Sequence, residues 1–159
     1  MEPRATDRTK RQKSHEFYKK LIKLTVAGGL AFWIVDFAFS LSPISAEYMA
    51  AFSISSLPLA LVEALVGGMI IACFVSFFLL RFFEKIPTNN PILKSLILSF
   101  AAVVVIEVLS TFGNPSNAYV YLLVDTVMNI PRILALGIVI GYLYKKLYGS
   151  ESLRQSDKH

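Results

Sequence analysis

Four apolar segments, each long enough to cross a lipid bilayer, limit what this chain can fold into. They run over residues 21–42, 57–80, 92–112 and 118–144. About 20 apolar residues in helical conformation cover the roughly 30 Å of a bilayer's hydrocarbon. In hydrocarbon a single segment satisfies its own backbone hydrogen bonds only as a helix. The chain is therefore read as all-α, an integral membrane bundle of four transmembrane helices. Composition agrees: 55% of the 159 residues are hydrophobic and 17% are charged, against about a quarter charged in an ordinary soluble domain. The charges gather at the ends and in one connection. This divides the chain into a basic tail over residues 1–20, expected to be disordered, a membrane domain over 21–148, and a polar tail over 149–159.

Lys and Arg placement orients the spans. The N-terminal tail carries Arg4, Arg8, Lys10, Arg11, Lys13, Lys19, Lys20 and Lys23. The connection between the second and third segments carries Arg81, Lys85 and Lys94, and the C-terminal tail carries Lys145, Lys146, Arg154 and Lys158. The other two connections, residues 43–56 and 113–117, contain neither Lys nor Arg. Positive charge stays on the cytoplasmic side, so both termini are expected inside a cell membrane. An even number of spans requires the same of the two ends. Tyr48, Tyr119 and Tyr121 fall where an outer aromatic belt belongs, and Phe17, Tyr18, Phe82, Phe83, Tyr142, Tyr144 and Tyr148 where an inner one does. Trp33, well inside the first segment, departs from that pattern. Pro43-Ile44-Ser45-Ala46 after the first segment resembles a signal-peptidase site, but the apolar run is longer than a signal core and contains Asp36.

One acid lies in each segment: Asp36, Glu63, Glu107 and Asp125. A carboxylate in hydrocarbon is costly, and an intramembrane acid marks a functional site by default. Counted from the segment ends at about 1.5 Å per residue, all four lie roughly 8–11 Å below the outer boundary. Arg132 is seven residues past Asp125, about 10 Å deeper on the same helical face, with Asn129 between them. Pro131 inside the fourth segment removes a backbone hydrogen bond and favours a kink. One Arg cannot neutralise four carboxylates. The remaining acids must be protonated, bind a cation, reach water, or pair with another chain's cations.

Small residues mark the packing faces. Ala60, Ala64, Gly68, Ala72 and Ser76 recur every fourth position in the second segment, and Gly137 and Gly141 repeat the spacing in the fourth. Such stripes let helices approach closely. Thr25, Gly29, Asp36 and Ser40 share a face of the first. Glu63 lies beside the Ala60/Gly67 face and is expected to project toward a packed neighbour, and Cys73 is expected to fill space in the core. The two hairpins also look alike: Leu61-Val62-Glu63 matches Leu123-Val124-Asp125, and Val35-Asp36-Phe37 matches Ile106-Glu107-Val108. This predicts two parallel repeats about an axis along the membrane normal.

Several functions are disfavoured. The net charge of +5 and isoelectric point of about 9.4 come with no nucleic-acid motif, and span-flanking basic residues account for them. His15 and His159 lie in the tails, so haem and zinc ligation within the spans lack residues. No hydrolase or phosphate-loop motif is present. No enzyme activity, cofactor or metal is expected. The leading expectation is a small transporter or channel-like protein that binds a proton or cation at Asp36, Glu63, Glu107 and Asp125, with Arg132 and Asn129 as counter-charge or anion anchor. The alternative is a non-catalytic accessory subunit of a larger membrane complex, whose buried charges pair with partner chains. The expected partners are the bilayer, which Lys10, Arg11, Lys13, Lys19, Lys20 and Lys23 would meet at its headgroups, and either further copies of the chain or other membrane subunits.

Overall fold

The computed structural model describes residues 5–42, 56–113 and 118–156. Side chains are described for residues 11–12, 14–42, 56–106, 108–109 and 129–148. Four helices form in order: α1 (Ala5–Ser40), α2 (Leu57–Phe82), α3 (Pro91–Gly113) and α4 (Ala118–Ser156), with a single 3-10 turn (Phe83–Lys85) closing α2. Among the described residues there is no strand. The predicted all-helical class holds, and two stretches, Ser14–Ser40 and Leu57–Lys85, are each long and apolar enough to cross a membrane.

The helix starts follow from local chemistry. Ser56 is extended ahead of α2, with Pro58 in the first turn, where its missing N–H removes nothing from the helix. Asn90 caps α3: its Oδ1 accepts the Ile92 N–H at 3.0 Å and its carbonyl accepts the Lys94 N–H at 3.0 Å, beside Pro91 in the first helical position. After α1, the backbone N–H and hydroxyl of Ser42 both donate to the Phe39 carbonyl, at 2.9 and 2.7 Å.

The tails depart from expectation. Residues 5–20, expected to be disordered, continue α1, and α4 runs on to Ser156. The stretch from Ala5 to Lys20 contains no Gly or Pro and is rich in Lys, Arg, Gln and Glu, all good helix formers. Extending an existing helix also avoids the nucleation cost.

The four helices close into a ring. α1 packs along α2, α3 along α4, and α1 along α4, while α2 and α3 touch less. The α1–α4 pair is antiparallel in a single register: Lys20 meets Tyr148, Gly28 meets Ile140, and Asp36 meets Arg132. Equal steps of eight along each helix keep the partners aligned through Pro131, which lies inside α4. The step from Lys20 to Asp36 spans about 24 Å of helix. Leu24, Phe32, Ala72, Val75, Leu79, Leu136, Ile140 and Tyr144 fill the centre.

Glycine sets the close approaches. A Cβ on Gly28 would stand 2.6 Å from Ile140 Cδ1 and 3.2 Å from Ala72 Cβ. On Gly141 it would run into the backbone of Ile92. Gly68, Ala72 and Ser76 are buried, as the stripe in α2 predicts.

Three expectations are corrected. Glu63 is exposed, and a Cβ on Gly67, one turn away, would meet nothing within 4 Å. That face of α2 turns away from the ring because Gly68 and Ala72, a third of a turn round, take the inner position. Cys73 is exposed for the same reason. The parallel repeat is not carried into the packing either: α1–α4 is tight where its counterpart α2–α3 is loose. Ile70 stands where the repeat would place a second Arg132.

Candidate functional site

Within α1, the buried stripe Leu24, Gly28, Phe32 ends at Asp36, which is 9% exposed. Facing it on α4, Arg132 is 6% exposed. Its Nη2 is paired with Asp36 Oδ1, and its Nη1 donates to Asn129 Oδ1 at 3.2 Å. The guanidinium also lies 5.8 Å from the centre of the Phe32 ring, so α1 offers it both a carboxylate and an aromatic face. Arg suits this place because its charge is permanent and its planar head accepts stacking and forked pairing together. Arg132 thus pairs with Asp36 through one terminal nitrogen and bonds Asn129 through the other.

The other acids separate from this pair. Glu63 sits on the outward face of α2 and makes no ion pair among the described residues. The side chains of Glu107 and Asp125 lie outside the described residues, as do those of Lys10 and Lys13 and the tyrosines assigned to the outer belt. Among the described residues, no three His, Cys, Asp or Glu side chains gather as metal ligands would. Trp33, off-pattern in the sequence, is explained by a neighbour: its Nε1 donates to the Leu61 carbonyl at 3.0 Å, and its ring stacks on Phe37 at 5.7 Å. This ties α1 to the turn of α2 that carries Glu63.

At the opposite end sequence reasoning missed a second cluster. Lys20, assigned to lipid headgroups, stands 4.2 Å over the Tyr148 ring. Tyr148 stacks on Tyr144 at 4.4 Å, Tyr144 on Phe83 at 4.7 Å, and Lys94 lies 3.6 Å over Phe83. An ammonium thus closes each end of a three-ring stack drawn from α1, α4, the 3-10 turn and α3. Lys94 is 3% exposed, and its Nζ donates to the Phe83 carbonyl. Its place three residues into α3, beside the short connection, was the only sequence signal for this role. Arg11, Lys19 and Lys23 remain exposed. Compared with known protein families, with curated proteins and with solved structures, the chain matches none.

Proposed function

We propose that this chain is a four-span integral membrane protein of the cell membrane, with both termini in the cytoplasm. We further propose that it acts as a non-catalytic subunit that assembles laterally through the Glu63–Gly67 face of α2. The outward surface supports the membrane reading. Ile22, Val26, Leu30 and Ile34 form an outward stripe on α1, each more than 40% exposed, opposite the buried Leu24, Gly28 and Phe32. A helix apolar on both faces suits hydrocarbon, and a soluble monomer rarely exposes so continuous an apolar surface.

One observation carries the assembly reading. Asp36 has its counter-charge inside the bundle, whereas Glu63 faces out beside a glycine with open space over it. A carboxylate on a span's outer face is costly in lipid, and a small residue one turn away lets another helix come close. A partner helix carrying a cation or a hydrogen-bond donor meets both conditions.

The second reading is proton or cation binding. What favours it is the shared depth of Asp36, Glu63, Glu107 and Asp125, since symmetry in a homo-oligomer would repeat Glu63 around an interface and supply the oxygen ligands that hard cations take. Mild-detergent purification with mass measurement separates the two. Stoichiometric co-purification of other membrane chains supports the subunit reading. A homo-oligomer that carries protons or cations into liposomes, with flux lost in Glu63→Gln, supports the second and overturns the first.

A further inference from the structure

Two cavities lie one after the other along α2. At the basic end, a cavity of about 650 Å³ is lined by Arg81, Lys85 and Lys145, by one acid, Glu84, and by the rings of Phe82 and Tyr148. Between α2 and α3 runs a cleft of about 480 Å³ with almost wholly apolar walls, among them Ile70, Phe74, Phe78, Leu98, Val105 and Leu109. Phe78 stacks on Phe82 at 5.6 Å, so the cleft ends one helical turn from the cavity. Along α3 the cleft walls extend from Leu98 to Leu109, about 16 Å of helix.

We infer that this pair of cavities is a binding site for one anionic phospholipid, with its phosphate headgroup in the basic cavity and an acyl chain in the cleft. The cavity holds three cations against one acid, all four exposed, so its charge favours an anion. Arg81 supplies the planar fork that matches phosphate oxygens, and Lys85 and Lys145 supply point charges. Basic pockets between membrane helices on the cytoplasmic side recognise anionic headgroups in this way. The ring stack fixes the cavity wall, because Phe83, Tyr144 and Tyr148 are held between Lys20 and Lys94. A free phosphate would use the cavity and leave the cleft unexplained, whereas a phospholipid uses both.

The test is native mass spectrometry of the detergent-purified chain with dioleoylphosphatidylglycerol, dioleoylphosphatidylcholine or inorganic phosphate. The expected result is one phosphatidylglycerol retained per chain, with binding at least tenfold weaker for phosphatidylcholine, for Arg81→Gln/Lys145→Gln and for the cleft-filling Val105→Trp. Lys146→Gln, at an exposed base outside the cavity lining, should bind like the unaltered chain. Phosphatidylglycerol with a diazirine in its acyl chain, added to the unaltered protein, should label the peptides containing Phe74 or Leu109. Three outcomes overturn the inference: retention unchanged in Arg81→Gln/Lys145→Gln, inorganic phosphate competing as well as the lipid with Val105→Trp silent, or diazirine label spread evenly around the bundle.

Discussion

The two ends of the bundle place their charges in different surroundings. At the end carrying Asp36, a buried ion pair with Arg132 joins α1 to α4, and Glu63 faces outward. At the basic end, Lys20 and Lys94 close a stack of three rings from its two sides. Both ammonium groups lie over aromatic rings, and Lys94 also bonds a carbonyl. On the proposed membrane reading, the difference follows from depth. An acid beneath the headgroups has no water to turn to and needs a counter-charge. A lysine near the interface keeps its head hydrated or over a ring while its stem lies on apolar surface. A buried ion pair thus meets charge at one end, and aromatic rings face it at the other.

Removing one partner of the pair should test the first half of that comparison most severely. Arg132→Gln leaves Asp36 buried without its counter-charge, a change worth about 3–5 kcal/mol in comparable buried pairs. Thermal unfolding in detergent should show a large loss for Arg132→Gln and partial recovery in Asp36→Asn/Arg132→Gln. Equal losses in the single and double variants would mean that packing around Phe32, and not the charge pair, holds α1 to α4.

Glycines at the ring's inner and outer faces give the next contrast. Gly141→Leu drives a side chain into the backbone of Ile92, which cannot move aside as a side-chain tip can. A cost of about 3 kcal/mol, the upper part of the overpacking range, is expected. Gly67→Leu meets open space and should change the stability of the isolated chain by less than about 1 kcal/mol, since helix propensity favours Leu. Similar unfolding temperatures for the two variants would contradict the inward and outward assignment of these faces.

At the basic end, Lys94→Met keeps the length of the side chain and removes its charge. It forfeits the bond to the Phe83 carbonyl and the ring contact, together about 2 kcal/mol. Near-ultraviolet circular dichroism should report loosening of the Phe83–Tyr144–Tyr148 stack. An unchanged aromatic signal and unchanged stability would show that the rings hold without their cap.

Much of this frame was legible beforehand. The helix starts at Leu57, Pro91 and Ala118 fall within a residue of the apolar segments that predict them. The small-residue stripe through Gly68, Ala72 and Ser76 finds its neighbours. What escaped was pairing between segments. Periodicity puts Asp36 on a face with Gly29 but does not say which of the other three helices that face meets, so the Asp36–Arg132 contact was one of several pairings the charges allowed. The ring stack was hidden because Phe83, Tyr144 and Tyr148 read as separate members of an interfacial belt, and only the α1–α4 register superposes Lys20 on Tyr148. Glu63 was misdirected by its sequence neighbours. Ala60 and Gly67 are as small as Gly68 and Ala72, and side-chain size alone does not choose between two adjacent faces of one helix.

Glu63→Gln carries the smallest expected effect on the folded chain and the sharpest test of the comparison. The carboxylate is exposed and makes no ion pair among the described residues, so the substitution removes charge without emptying a packed site. Unfolding of the monomer in detergent should shift by no more than about 0.5 kcal/mol, the range of surface changes. In a bilayer the consequence differs, because the group Glu63 would bond sits on another chain. Association measured by fluorescence transfer between labelled chains in liposomes should weaken several-fold, and Arg132→Lys, which keeps the internal charge, should leave it unchanged. If Glu63→Gln lowers monomer stability as much as Arg132→Gln does, Glu63 works inside its own bundle, and the two acids belong to one network after all.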